Sequence, residues 1–256
     1  MYELELAGGG RMPVIGLGTW QLSGDSCVKA VLTALKLGYR HVDTAEMYAN
    51  EREVGEAIRA SGIPRDEIFV TTKIWTNNFR ADDARRAAED SLRALGLAYV
   101  DLLLMHWPNS SVPLAETLGA MSDLQSEGKT RAIGVSNFPR GILTEAIAAS
   151  SAPIACDQVR YHPGMSQDPL FDFARQKGVA ITAYSPLGKG DLARDRTLGG
   201  IGAKYGKSAA QIALRWLVEQ GVSAIPKASR EANLRANIDI FDFSLDDEDR
   251  IAISKM

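Results

Sequence analysis

Val100-Asp101-Leu102-Leu103-Leu104-Met105-His106-Trp107 is apolar at four consecutive positions, Leu102 to Met105, before it reaches a histidine and a tryptophan. A run without alternation suits a parallel strand covered on both faces, not a strand with one wet side. Seven comparable runs lie around it, at residues 14–18, 41–45, 68–74, 131–136, 155–161, 180–185 and 223–226. Between them the apolar positions take a helical period. Asn50-Glu51-Arg52-Glu53 reads as an N-cap with a carboxylate three residues on, opening a helix through Ala60. Residues 82–95 are periodic up to Gly96, and 114–125 follow Pro113 and end near Gly128. Ser208-Ala209-Ala210-Gln211 is a second capping box, leading a helix through Val218 that stops at Gly221.

Eight strand–helix units with short connections and right-handed crossovers close most simply into a (β/α)8 TIM barrel, an α/β fold. The 256 residues match the ~250 of one such barrel, so residues 1–256 are expected to form a single domain. Two segments fall outside the repeat. Residues 1–12 alternate and contain Ala7-Gly8-Gly9-Gly10, which predicts a β-hairpin capping one end of the barrel. Residues 187–201 are Gly-rich and charged, which predicts a long loop. The rival is an open Rossmann sheet. Gly16-Leu17-Gly18-Thr19-Trp20-Gln21 supplies two of its glycines, but Gln21 stands at the third and Trp20 is too bulky for close approach to a pyrophosphate.

Composition narrows the function classes. With 29 Lys+Arg against 32 Asp+Glu the net charge is -3, which offers no general basic face for nucleic acid or anionic lipid. The start lacks a basic segment followed by an apolar run, and no stretch of ~18 apolar residues occurs, so a cytoplasmic protein without membrane contact is expected. Cys27 and Cys156 have no metal-ligand spacing and read as small buried residues. His106 has no second His or Cys at ligand distance, so no metal is expected.

In a barrel, chemistry gathers at the carboxyl ends of the strands. Asp43 ends the second run with Tyr48 five residues on, Lys73 lies near the end of the third, and His106 closes the fourth. Singly, each has an ordinary explanation: a turn aspartate, a packing tyrosine, a solvated lysine, a satisfied core histidine. Together they make chemical sense. A phenol of pKa ~10 exchanges its proton poorly at neutral pH, and an ammonium beside it lowers that value. Lys73 would supply the ammonium, Asp43 would hold it, Tyr48 would give a proton to a carbonyl oxygen, and an uncharged His106 would orient that carbonyl. His41 and His162 lack such company and read as structural.

At these positions the chain resembles the aldo-keto reductase superfamily. Asp43-Thr44-Ala45-Glu46-Met47-Tyr48-Ala49-Asn50-Glu51 with Val54-Gly55 fits its longest signature. Thr72-Lys73-Ile74-Trp75, Leu104-Met105-His106-Trp107-Pro108, Gly134-Val135-Ser136-Asn137-Phe138, Tyr184-Ser185-Pro186-Leu187-Gly188 and Ile225-Pro226-Lys227 follow in family order. Bacterial reductases of 2,5-diketo-D-gluconate, methylglyoxal and other small aldehydes are the most similar branch. The resemblance implies Tyr48, Asp43, Lys73 and His106 as a catalytic tetrad, and NADPH as cofactor, with NADH as the alternative. It implies cofactor contacts from Thr19, Trp20, Ser136, Asn137, Gln158, Tyr184 and the stretch Ser185, Leu187, Gly188 and Lys189. Pro226, Lys227, Ala228, Ser229, Arg230, Asn233 and Asn237 complete the set. Trp20, Trp75 and Trp107 would wall the substrate mouth.

Some positions depart from the family pattern. Ala228 stands where relatives carry Ser, Asn233 where they carry Arg, and Ala236 where a Glu precedes Asn237. These weaken the grip on an adenosine 2′-phosphate, which Lys227, Ser229 and Arg230 could restore through charge-assisted bonds. Arg160 replaces a common Glu and is expected to face the outer helices. The short tail implies an open mouth, small-molecule carbonyl substrates and a monomer. A cofactor-binding sensor or regulatory subunit on the same fold is the alternative from another class, and the intact tetrad argues against it.

Overall fold

The computed structural model describes residues 2–165 and 168–256. Two short strands, β1 (Glu3–Glu5) and β2 (Arg11–Pro13), pair antiparallel as the predicted hairpin, with Met1 outside the described residues. Eight parallel strands follow: β3 (Leu17–Gly18), β4 (His41–Asp43), β5 (Phe69–Ile74), β6 (Val100–Met105), β7 (Thr130–Ser136), β8 (Ile154–Arg160), β9 (Ala180–Tyr184) and β10 (Val222–Ala224). Each pairs with its neighbour in chain order.

The first and last strands meet to close the ring. Ile15 bridges Ala224 in parallel, Gly16 N–H donates to the Ala224 carbonyl at 2.9 Å, and Ala224 N–H donates to the Val14 carbonyl at 2.8 Å. The glycines that half-match a dinucleotide fingerprint serve this seam. A Cβ on Gly18 would stand 2.6 Å from the Ile225 carbonyl oxygen, and one on Gly16 would stand 2.7 Å from the His41 ring. The strands must approach too closely there for any side chain.

Helices cover the outside: α1 (Gly24–Lys36), α2 (Glu51–Ser61), α3 (Ala81–Leu95), α4 (Leu114–Ser126), α5 (Arg140–Ala149), α6 (Asp168–Lys177), α7 (Arg196–Tyr205), α8 (Ala209–Glu219), α9 (Glu231–Ile238) and α10 (Asp247–Ser254). None is long and apolar enough to cross a membrane. Gly96 ends α3 in the left-handed conformation, and Ser208 and Gln211 form the predicted capping box of α8.

Three expectations need correction. Residues 187–201 are not a loop: a 3₁₀ stretch, Gly188–Arg194, leads into α7. The Asp195 carboxylate caps α7 by accepting from Leu198 N–H at 2.9 Å, and Leu198 and Ile201 bury one face of it. Asn50 begins α2 but does not cap it with its side chain. That amide instead accepts from the Thr44 hydroxyl and donates to the Thr19 and Leu22 carbonyls, while Glu53 accepts from Gly24 N–H. Arg160 does not face the outer helices. Gln158, two residues earlier on β8, reaches inward to Asp43, and alternate residues of a strand share a face, so Arg160 rises toward the mouth beside Tyr184.

The interior is apolar at the amino end of the strands. Leu6 and Met12 of the hairpin plug that end against Phe69, Leu102, Leu104, Ala132 and Cys156. Each buried aliphatic or aromatic side chain there contributes roughly 1.5–3 kcal/mol relative to exposure. His41 lies in this floor, its ring between the Pro13 carbonyl and the Thr71 hydroxyl, as a structural residue.

Candidate active site

The same inner face turns polar toward the carboxyl ends. Because side chains alternate, β5 carries Phe69, Thr71 and Lys73 inward, and the β6 row of Leu102 and Leu104 continues to His106. Lys73 is fully buried. Its ammonium donates to Asp43 Oδ1 at 2.6 Å, to the Thr44 carbonyl at 2.8 Å and to the Tyr48 hydroxyl at 3.4 Å, which uses its three N–H groups. Gln158 Nε2 donates to the other Asp43 oxygen at 2.7 Å. Asp43 therefore has both oxygens engaged inside the barrel.

Tyr48 ends a single 3₁₀ turn, Glu46–Tyr48, that the chain leaves through left-handed Ala49. Glu46 fixes this turn to the next loop by accepting from Trp75 N–H at 2.8 Å and from the Asn78 amide at 2.5 Å. The Tyr48 ring meets His106 edge to face at 5.6 Å between centroids, and Trp75 meets His106 edge to face at 5.1 Å. Trp20 and Trp107 are exposed and Trp75 is half-buried.

Electrostatics separates these groups. Burial pushes the His106 imidazole down to about 3, with Lys73 adding to the effect, so the ring is neutral at physiological pH. Burial also raises the Tyr48 phenol and outweighs the nearby Lys73, which pulls it down. The prediction that Lys73 would leave this phenol with a lowered value is thus corrected: without a ligand the hydroxyl stays firmly protonated. For Lys73, burial favours loss of the proton, but the Asp43 carboxylate and the Tyr48 oxygen oppose it and the net shift is upward. The ammonium persists in the interior because it is paired.

The remaining sequence-predicted residues follow β3, β7, β8, β9 and β10 or lie on α9. Ser136 donates its hydroxyl to the Gln158 carbonyl, and Asn137 links to His106, Ser136 and Tyr184. Thr19 is buried and donates to the Asp43 carbonyl. After Tyr184 the backbone passes through left-handed conformations at Ser185, Gly188, Lys189 and Gly190, and Lys189 Nζ sits 5.7 Å over the Trp20 ring. Turns of this kind aim backbone N–H groups at anions. Beyond β10, Pro226 and Ala228 are buried, while Lys227, Ser229 and Arg230 are exposed where the chain enters α9. Asn233 lies on the outer side of α9 and Asn237 is buried beneath it. Ser185 and Leu187 are half-buried and Gly188 is buried within the turn. Sequence reasoning gave Glu46 and Thr44 no role, although they hold Tyr48 and Lys73. Glu46 acts on groups 29 and 32 residues away, a relation that no local spacing carries.

Comparisons with known proteins agree with this architecture. Residues 14–256 match the model of the aldo/keto reductase family. The chain is 40% identical over 96% of its length to methylglyoxal reductase DkgB of Salmonella typhimurium, covering 93% of that protein. It is 39% identical over 97% of its length to glycerol 2-dehydrogenase (NADP(+)) of Saccharomyces cerevisiae, covering 89% of it. Among solved structures, one described as a 2,5-diketo-D-gluconic acid reductase B superposes with a TM-score of 0.97 at 45% identity, over 100% of this chain and 91% of that one. The chain belongs to the aldo/keto reductase family and is an oxidoreductase.

Proposed function

We propose that this enzyme is an NADPH-dependent carbonyl reductase acting on small aldehydes, dicarbonyls or keto-sugars, with Tyr48 as the general acid. The observation that carries the reading is the buried chain Asp43–Lys73–Tyr48 beside a neutral His106 at the barrel mouth. The cationic and hydroxyl groups of Lys227, Ser229 and Arg230 fit a ribose 2′-phosphate, which favours NADPH over NADH. Charge-assisted bonds there would contribute ~1.5–3 kcal/mol each. The left-handed turn around Gly188 and Lys189 fits the pyrophosphate. Ser136, Asn137, Gln158 and Tyr184 border the place of the nicotinamide, which supplies the hydride when bound.

The protein's own part is orientation and proton delivery. The His106 ring, neutral, donates a hydrogen bond to the carbonyl oxygen without competing for its proton. Tyr48 is protonated at rest and gives its proton to that oxygen as negative charge gathers there. The phenolate left behind faces the Lys73 ammonium, which Asp43 keeps charged, so Lys73 stabilises the state after transfer. Trp20, Trp75 and Trp107 wall the mouth and favour compact carbonyl compounds over charged polymers.

The test is oxidation of NADPH and of NADH, followed by absorbance, with methylglyoxal, 2,5-diketo-D-gluconate and simple aldehydes. Turnover with NADPH that exceeds NADH supports the reading. Cofactor binding with no turnover across the panel would favour a sensor in its place.

A further inference from the structure

Away from the mouth, helices α2 and α3 leave an open cleft of about 690 Å³ on the outside of the barrel, lined by Arg52, Arg59, Asp90, Arg93, Ala94 and Gly96. Three guanidiniums face one carboxylate there, an excess of two positive charges on a chain whose net charge is -3. An arginine stays charged at any ordinary pH, so this excess is permanent. Most arginines of the outer helices answer a carboxylate, as Arg85, Arg86, Arg175, Arg215, Arg235 and Arg250 do. Among the described residues, Arg52 and Arg59 have no carboxylate at ion-pair distance, although Glu56 lies between them on α2. Arg93 pairs with Asp90, but both are exposed, and a surface pair of that kind yields easily to a stronger anion.

The fold fixes one of these cations in place. Arg59 Nη1 donates to the Leu95 carbonyl at 2.7 Å, at the last turn of α3, which Gly96 ends with φ 64. A Cβ on Gly96 would collide with that guanidinium, so the glycine serves both the left-handed turn and the seat of the arginine. Arg59 thereby meets the negative end of the α3 dipole, and among the described residues its other N–H groups form no hydrogen bond. Arg52 stands two turns earlier on the same face of α2, about 10 Å away along the axis. One phosphoryl group does not span that separation; two or more in one molecule do.

We propose that this cleft binds a small molecule carrying phosphoryl groups at two ends, held by Arg52 at one end and Arg59 at the other, with Arg93 released from Asp90 to join them. Guanidinium forks match phosphoryl oxygens in pairs, which suits this residue type to that ligand. The site is separate from the mouth and does not rest on the reading of the mouth as a cofactor pocket.

Inorganic tripolyphosphate is the probe, titrated calorimetrically at low ionic strength into the protein with excess NADP+ present, so that phosphate sites used by the cofactor are filled. One tripolyphosphate per chain is expected, with inorganic phosphate at least about tenfold weaker. Arg52→Gln and Arg59→Gln are each expected to weaken tripolyphosphate about tenfold or more, the worth of one charge-assisted bond. Arg59→Gln also cuts the tie to Leu95, so Arg52→Gln carries the test if that variant folds poorly. Arg86→Gln, on α3 but outside the cleft lining, and Lys227→Gln should bind as the wild type does. Equal affinity of Arg52→Gln and the wild type, equal affinity for phosphate and tripolyphosphate, or no binding by the wild type overturns the proposal. Binding that is lost on adding NADP+ or in Lys227→Gln assigns the polyanion to the mouth and overturns it as well.

Discussion

The two ends of this barrel are made by the same strands and the same inner faces, yet one end is a sealed floor and the other a reactive mouth. At the floor, burial prevails over its opponents, which are Asp43 and the Pro13 carbonyl for His41 and Thr182 for Cys156. It pushes the Cys156 thiol up to about 12 and the His41 imidazole down to about 4, so both groups are uncharged in any ordinary medium. At the mouth, burial acts as strongly on Lys73, yet the ammonium persists because Asp43 and Tyr48 face it at hydrogen-bond distance. The difference lies in partners and not in depth. A protein interior neutralises a lone ionisable group and keeps a charge only where an opposite one has been built beside it.

The sharpest way to break this comparison is to remove the hydroxyl of Tyr48, the proposed proton donor. Tyr48→Phe leaves the ring, the Lys73–Asp43 pair and the rim of tryptophans in place. Turnover is expected to fall by at least ~10²–10⁴, the usual worth of a positioned acid, while NADPH affinity stays near the wild-type value. Steady-state rates with methylglyoxal and a fluorescence titration of the cofactor check both halves. A variant with full activity would mean that the chemistry happens elsewhere.

Removing one partner tests the pairing itself. Lys73→Met strands the Asp43 carboxylate in the interior with only Gln158 beside it, and breaking a buried pair in this way costs about 3–5 kcal/mol. Urea unfolding should show that loss, and adding Asp43→Asn should recover part of it. Without recovery in the double variant, the ion pair is not what keeps charge in the mouth.

How far these regions could be read beforehand follows from the same physics. The strand faces were legible because burial on both sides leaves continuous apolar runs, and a polar residue closing such a run, as His106 does, stands out. The helix Arg196–Tyr205 was not, because Gly199, Gly200 and Gly202 dilute the spacing of Leu198 and Ile201. Asn50 was mistaken for a side-chain cap because its actual partners, the Thr19 and Leu22 carbonyls, are brought to it by the pairing of β3 with β4. The direction of the Tyr48 shift depends on how completely the mouth excludes water, and residue spacing contains no measure of that. Arg160 was misdirected for want of a register, which the inward reach of Gln158 supplies.

A milder test uses pH. His41 and His106 have folded-state values near 4 and 3, both below the usual ~6.5, so the unfolded chain binds more protons than the folded one across that window. Their contribution to stability is complete above pH ~6.5 and declines on acidification toward the folded values, by up to ~1.4 kcal/mol per pH unit for each ring. Urea midpoints between about pH 7 and about pH 4.5 should fall accordingly, and His41→Gln should flatten the decline. Over the same range kcat should show no inflection that disappears in His106→Asn, because that ring does not titrate there. A decline as steep in His41→Gln as in the wild type would mean that the His41 ring is charged in the fold.

Asp157 sharpens the rule with the smallest effect, because it belongs to neither end. It is fully buried on β8, and its Oδ1 accepts only the long bond from Phe138 N–H. Among the described residues, Oδ2 has no hydrogen-bond partner. Burial therefore raises its pKa well above the ordinary carboxyl value, against a downward pull from that one N–H. A raised folded value means that its stability contribution is whole below the unfolded value of ~3.9 and is lost as pH climbs toward the folded one. Asp157→Asn preserves the acceptor for Phe138 and does not titrate. The variant should thus be nearly neutral at about pH 4 and more stable than the wild type by roughly 1 kcal/mol or more at about pH 8, compared by urea unfolding. If instead the difference is the same at both pH values, Asp157 carries its charge without a partner, and the presence of a partner does not decide which groups in this barrel are ionised.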